Sequence, residues 1–183
     1  MKQISRIALP KSANQLDGRL VVRERFRLAS QFLMPLHKLI QMGFATKMRG
    51  KTAMGMAMSY LIRYGIAGTY PNLTVNPAMA LLSQGTLANP LGIQAFREGR
   101  QLQAIWMVER TLFSGYLDDG VILCAYHPES GVAGINELPS ARQDGEAVLT
   151  LPTELADRPV HLYFLVHSRD KKQFSKSLYL GLF

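Results

Sequence analysis

The chain has 183 residues, of which 48% are hydrophobic and 19% are charged, a balance typical of a folded globular protein and not of a disordered one. No stretch approaches the roughly 18 consecutive apolar residues of a membrane span, and the first residues lack the apolar core of a secretory signal. We therefore expect no membrane span, and a cytoplasmic location by default. The single cysteine, Cys124, excludes an internal disulfide framework, and its apolar neighbours predict burial instead of catalysis.

The net charge of +8 is spread unevenly along the chain. Residues 1–70 contain twelve Lys or Arg against two acids, whereas residues 71–183 contain nine against eleven. This asymmetry indicates a polyanionic partner for the N-terminal third, either a nucleic acid or another anionic surface.

The first 70 residues predict two helices joined by a short basic turn. Between residues 15 and 44 apolar residues recur at spacings of three and four, which is the helical period. Pro35 interrupts this stripe without changing its phase, so the pattern predicts one helix with a kink. Thr52 is suited to cap a second helix, with Gly65 or Gly68 as its end, and the pair predicts an antiparallel helical hairpin.

After residue 70 short runs rich in Val, Ile, Tyr and Phe replace the helical pattern. The predicted strands are residues 78–83, 102–110, 120–127, 137–142, 146–151, 160–167 and 174–180. Regularly spaced strands without intervening helices favour an antiparallel β-sandwich of the immunoglobulin or fibronectin type III kind. We therefore expect an α+β protein with a helical region at 1–70 and a sandwich domain at 71–183. The residues expected in its core are Phe26, Leu33, Leu36, Trp106, Leu162 and Phe164.

The strand at 160–167 carries two of the four histidines. Alternation places Val160, Leu162, Phe164 and Val166 on a core face, and His161, Tyr163, Leu165 and His167 on the other face, predicted to be polar. The two histidines are about 20 Å apart in an extended strand, too far for one metal ion. Tyr163 suggests a tyrosine corner. Ser175 and Ser177 are predicted to share a face with Tyr179 in the last strand.

No sequence motif for catalysis, metal binding or cofactor binding is present. The chain has no G-x-S-x-G nucleophile elbow and no glycine-rich phosphate loop. Asp118 and Asp119 precede a glycine and predict a turn, because a calcium loop needs more oxygen ligands. Met54 and Met58 share a helical face and predict core packing in preference to copper binding. We therefore predict no catalytic residue, no metal ligand and no cofactor.

The only feature with functional promise is a basic surface on the predicted helices. Its members are Arg19, Arg23, Arg27, Lys47, Arg49 and Lys51. Lys and Arg in this arrangement can follow a phosphate backbone. The competing interpretation is a solvated helix face, since no aromatic residues alternate with these basic residues to stack on bases.

Several segments together resemble an uncharacterised bacterial family of the domain-of-unknown-function series. They are RFRLASQFLMPLHKLIQMGF, GTYPNLTVNPAMALLSQGTL, RQDGEAVLTLP and VHLYFLVHSRDKKQFSKSLYLG. The resemblance implies a helical N-terminal part followed by a strand-rich C-terminal part, and it brings no activity, cofactor or catalytic residue. Members usually begin with a glycine-rich segment that is missing here, which implies a shortened N-terminus and an uncovered sheet edge.

The leading prediction is therefore a non-catalytic protein-interaction or structural module that binds another protein. One alternative is polyanion or nucleic-acid binding through the basic helices. A further alternative is an enzyme of unrecognised type, because catalytic groups can assemble from distant positions. The sequence leaves the oligomeric state open.

Overall fold

The computed structural model describes residues 18–44, 50–109 and 116–183. The α-helices in these ranges are α1 (Gly18–Leu33), α2 (His37–Gly43) and α3 (Ala53–Tyr64). The strands are β1 (Ile66–Thr69), β2 (Asn72–Val75), β3 (Leu91–Glu98), β4 (Gln101–Met107), β5 (Gly120–His127), β6 (Val132–Ile135), β7 (Ser140–Ala141), β8 (Glu146–Thr150), β9 (His161–His167) and β10 (Leu178–Leu182). No helix in the described ranges is long and apolar enough to cross a membrane.

The break between α1 and α2 lies at the predicted proline. Pro35 has no backbone N–H and crowds the preceding turn, so the chain tightens into a 3-10 turn at Met34–Leu36. The predicted single kinked helix is thus two helices in nearly continuous sequence. The predicted helical hairpin is also not the arrangement found. Most of the basic turn expected between its two helices, at residues 46–51, lies outside the described residues.

The strands form three antiparallel sheets. In a two-stranded sheet β1 pairs with β2, and in a three-stranded sheet the order is β3-β4-β8. In the five-stranded sheet four strands follow the order β10-β9-β5-β6. The fifth strand, β7, pairs with β5, which also pairs with β6. The coarse prediction of N-terminal helices followed by a β-rich part is confirmed.

Two hydrophobic cores divide the molecule into three layers. The sandwich core lies between the three-stranded and five-stranded sheets and contains Trp106 and Phe164. The helix–sheet core lies between the other face of the five-stranded sheet and the helices, and contains Leu33, Leu61 and Tyr126. The five-stranded sheet is therefore buried on both faces, with helices on one side and the smaller sheet on the other.

The burial of the second face corrects the expectation for the strand at 160–167. Its first face lies in the sandwich core as predicted. Its second face is not polar, because Tyr163 and Leu165 are fully buried in the helix–sheet core. Tyr163 does not form a tyrosine corner either, since its hydroxyl donates to the carbonyl of Pro77, 2.8 Å away and remote in sequence.

Phe26 is the residue of the predicted core that the structure places outside it. It is 56% exposed, whereas Leu33, Leu36, Trp106, Leu162 and Phe164 are buried as predicted. The buried residues of α1 are Ala29, Phe32 and Leu33, all in its C-terminal half. The apolar stripe thus continues along α1 beyond the part of the helix that the core covers.

Residues 78–83 do not form the predicted strand. Pro77–Met79 is a 3-10 turn, and Asn76 caps it by accepting a hydrogen bond from the amide of Ala78 at 3.1 Å. The predicted strand at 174–180 begins later, at Leu178, as β10. The strands β1, β2, β3 and β6 were not predicted.

The segment that follows the turn is tied to the loop before β10. The amide of Leu82 donates to the Ser177 hydroxyl at 2.9 Å, and the Ser83 hydroxyl donates to the Ser175 carbonyl at 2.8 Å. α2 approaches this segment closely, and a Cβ atom at Gly43 would overlap the carbonyl oxygen of Leu82. These buried bonds hold the helices and the sheets in one packed unit.

Candidate binding groove on the third helix

A surface groove of about 570 Å³ runs beside α3. We define the α3 groove by the residues Lys51, Gly55, Ser59, Tyr60, Arg63 and Tyr64, all of which line it. Gln84, from the segment that leads to the sandwich, also lines it. Thus α3 supplies most of the lining, and a segment remote in sequence supplies the rest.

The local sequence explains why this face of α3 is free. Thr52 begins the helix by accepting a hydrogen bond from the amide of Gly55 at 3.0 Å. Ala57 and Leu61 then point into the helix–sheet core. Because residues four apart share a helical face, Ser59 and Arg63 lie away from that core and face the groove.

Two tyrosines form the aromatic part of the groove. The rings of Tyr60 and Tyr64 lie one helical turn apart, with their centroids at 4.7 Å and their planes at 50°. Tyr64 is 52% exposed. The pair presents an aromatic surface to solvent.

Basic side chains border both rings. The guanidinium carbon of Arg63 lies 5.9 Å from the centre of the Tyr64 ring, and the ammonium of Lys176 lies 5.9 Å from the centre of the Tyr60 ring. Both distances allow a cation–π contact. Lys176 comes from the loop before β10. The fold therefore brings a third cation near Arg63 of α3 and Lys51, which precedes this helix.

The groove lacks acidic side chains among its described lining residues. The sequence explains this local charge, because residues 25–97 contain no Asp and no Glu. The same stretch contains eight basic residues, namely Arg25, Arg27, Lys38, Lys47, Arg49, Lys51, Arg63 and Arg97. The described lining of the groove therefore carries the basic residues Lys51 and Arg63 and no carboxylate, which favours an anionic ligand.

A family model described as "Family of unknown function (DUF6266)" matches residues 2–181. The chain belongs to the DUF6266 family. The resemblance noted in the sequence is confirmed, together with a helical N-terminal part and a β-rich C-terminal part. No curated protein and no solved structure matches the chain.

The structure describes four of the six residues of the predicted basic surface of this DUF6266 protein. Arg19 and Arg23 are exposed on the first turns of α1. Arg27 forms an ion pair with Glu24 at 2.6 Å and donates to Gln31 at 3.0 Å. Lys51 lines the α3 groove, whereas Lys47 and Arg49 lie outside the described residues.

Reasoning from the sequence missed Tyr60, Arg63, Tyr64 and Lys176. The spacing Y-x-x-R-Y on a predicted helix carries a usable signal, since residues three and four apart meet on one face. Lys176 has no such signal, because only the tertiary fold brings the loop before β10 to α3.

The serines and the cysteine of the DUF6266 chain have structural roles. Ser175 accepts a hydrogen bond from the amide of Val166 at 2.9 Å, and Ser177 accepts one from Leu82. Burial raises the pKa of the Cys124 thiol to about 12, which disfavours the reactive thiolate. In the described ranges no three His, Cys, Asp or Glu side chains are grouped closely enough to hold a metal ion.

We expect His161 to make the free energy of unfolding dependent on pH. Its Nδ1 lies 2.9 Å from the hydroxyl of Tyr179, and burial together with the nearby His127 lowers its pKa from the model-peptide value of about 6.5. Below that value the unfolded chain binds more protons than the folded chain. The free energy of unfolding should therefore fall as pH drops from about 6.5 toward the folded-state pKa, with a slope below about 1.4 kcal/mol per pH unit for one proton.

Urea denaturation between about pH 5 and pH 7 measures this slope. His161→Gln should flatten it, whereas Tyr179→Phe should lower stability and keep the slope, because the imidazole stays partly buried beside His127. An unchanged slope in His161→Gln would assign the pH dependence to other groups.

Proposed function

We propose that the protein is a non-catalytic binding module whose α3 groove holds an anionic ligand. The observation that carries this proposal is a groove lined by Lys51 and Arg63 and, in the described ranges, by no acidic residue. Lys176 adds a third cation, because its ammonium lies 5.9 Å from the centre of the Tyr60 ring that lines the groove. Cations that lack carboxylate partners are available to an incoming phosphate or carboxylate.

Binding fits the described residues better than catalysis does. The serines accept hydrogen bonds from backbone amides, and the thiol is buried with a raised pKa. His161 and His167 lie at opposite ends of β9, and the ring nitrogens of each contact a different partner. The proposal therefore assigns no reaction and no cofactor to this protein.

We further infer that the two packed sheets belong to the immunoglobulin or fibronectin type III kind. The support is the order in which the chain visits the sheets: β3 and β4 in one, β5 and β6 in the other, β8 back in the first, and β9 and β10 in the second. Immunoglobulin-like sandwiches divide their strands between two sheets in this way. An experimental structure that pairs β8 with β5 in place of β4 would remove this support.

The proposed function is tested with inorganic polyphosphate, a polyanion without bases. The variant Lys51→Gln/Arg63→Gln/Lys176→Gln should bind it about tenfold or more weakly than the wild type. The dependence of affinity on salt should also become shallower, because fewer counterions are released on binding. Isothermal titration at several salt concentrations measures both quantities.

The matched control removes three charges elsewhere. Arg19→Gln/Arg23→Gln/Arg27→Gln changes the net charge equally but leaves the groove intact, so it should retain most of the affinity. If this variant loses binding and the groove variant does not, the basic face of α1 is the site. If the wild type does not bind polyphosphate at low salt, the proposed anionic ligand is wrong.

The second candidate is the protein-interaction role predicted from the sequence. The outer face of the three-stranded sheet favours it, because Phe96 and Val148 lie on either side of Gln103 in register and are both exposed. Leu91 and Met107, paired at one end of the same sheet, are also exposed. Apolar side chains in such a patch mark protein contact surfaces. If polyphosphate does not bind, protein interaction becomes the preferred function.

A further inference from the structure

We propose that the ligand of the α3 groove is a single strand of nucleic acid, with a base stacked on Tyr64 and backbone phosphates bound by Lys51, Arg63 and Lys176. This inference rests on the proposed function and adds the chemical class of the ligand. It comes from the combination of aromatic and basic side chains in the groove, because a polyanion without bases would leave the tyrosines unused.

The aromatic contribution comes from the exposed part of the Tyr64 ring. Tyr60 contacts this ring at a 50° tilt, and the guanidinium carbon of Arg63 lies 5.9 Å from its centre. Tyr64 is nevertheless 52% exposed, so a base can stack on the ring beside the exposed Arg63 side chain. Every nucleobase has a flat π-face, so one exposed ring accepts any base without reading its sequence. Stacking on an aromatic side chain contributes about 1–3 kcal/mol per base.

The cations are placed to contact the backbone on either side of a stacked base. Arg63 lies beside Tyr64, Lys176 lies over Tyr60, and Lys51 lies at the other end of the groove. The twelve residues of α3 extend over about 18 Å at 1.5 Å per residue. The contacts therefore follow a strand of several nucleotides, and not a single phosphate group.

A duplex is the less suitable ligand. Its bases are stacked on one another inside the helix, so none is available to the Tyr64 ring without the cost of unpairing. The groove would offer a duplex only its positive charge. The preference for a single strand over a duplex of the same sequence is thus a direct consequence of the tyrosine pair.

The experiment measures fluorescence anisotropy of a labelled thymidine strand of about twelve nucleotides, within the range that single-strand sites occupy. The same variants are titrated with polyphosphate and with a duplex of equal length. Tyr64→Leu should weaken binding of the single strand about tenfold and leave polyphosphate binding unchanged. Because the ring is half exposed, this variant should keep its fold, which a thermal melt checks.

Tyr116→Leu is the matched control, since Tyr116 is 74% exposed, is not one of the residues that line the groove and undergoes the same chemical change. It should bind the single strand as the wild type does. If Tyr64→Leu binds the strand normally, or the duplex binds as tightly as the strand, the inference is overturned while polyphosphate binding keeps the proposed function. If neither strand nor polyphosphate binds the wild type, both are overturned.

Discussion

Replacing Asp119 with alanine should lower the free energy of unfolding by about 3–5 kcal/mol, the range observed when one partner of a buried ion pair is removed. Asp119 and Arg142 are 1% and 2% exposed, and the carboxylate lies 3.8 Å from the guanidinium. The carboxylate also accepts a hydrogen bond from the amide of Tyr116 at 2.7 Å. Without it, Arg142 remains a buried cation whose Nε already lacks a hydrogen-bond partner among the described residues.

Urea denaturation followed by the fluorescence of Trp106 measures this loss, since the indole N–H donates to the carbonyl of Arg142 at 2.8 Å. The control is the neighbouring Asp118→Ala. Asp118 pairs with the exposed Arg169, and surface pairs of this kind contribute about 0–1 kcal/mol. Equal losses in the free energy of unfolding of the two variants would contradict the larger contribution expected from the buried pair of Asp119 and Arg142.

Phe164→Ala should destabilise the protein by a similar amount, about 3–5 kcal/mol, because it removes a fully buried aromatic side chain and leaves a cavity. Phe164 packs edge-on against Trp106, with ring centroids 5.4 Å apart, at the centre of the sandwich core. Its neighbours come from both sheets, so few of them can move to fill the space.

Phe96→Ala removes the same atoms from the outer face of the three-stranded sheet, where the ring is 51% exposed. We expect a loss of about 1 kcal/mol or less there, as is usual for surface substitutions. Comparing the midpoints and slopes of the urea transitions separates lost packing from changes in the unfolded chain. A loss below about 1.5 kcal/mol for Phe164→Ala would mean that the sandwich core is loosely packed.

The elements that the sequence predicted well are those with a strict local period. β5 and β9 are strands whose sequences are apolar over almost their whole length. Thr52 is a local capping signal, and it caps α3 in the structure. Residues 78–83 were wrongly predicted to form a strand, because an apolar run does not reveal whether a neighbouring strand is there to pair with it. This run packs against the helix–sheet core as an irregular segment, and Ser177 satisfies the amide of Leu82 that a strand neighbour would have satisfied.

The candidate site was only partly predictable for the same reason. Lys51 was identified from local charge, whereas Tyr60 and Tyr64 were missed although their spacing places them on one helical face. Their meeting with Lys176 depends on how the loop before β10 is held by Ser175 and Ser177, which no local pattern encodes. Similarly, the second buried face of β9 depends on helices that are distant in sequence.

The helix–sheet core has a thermodynamic consequence for any ligand of the α3 groove. α3 contributes Ala57 and Leu61 to the same core as Tyr126 of β5 and Tyr163 of β9. A molecule that binds only the native helix therefore opposes unfolding of the sheet as well, by about 2.7 kcal/mol when its concentration is a hundred times its dissociation constant. The melting temperature of the whole chain thus becomes an unlabelled reporter of occupancy, with which collections of candidate anions can be screened.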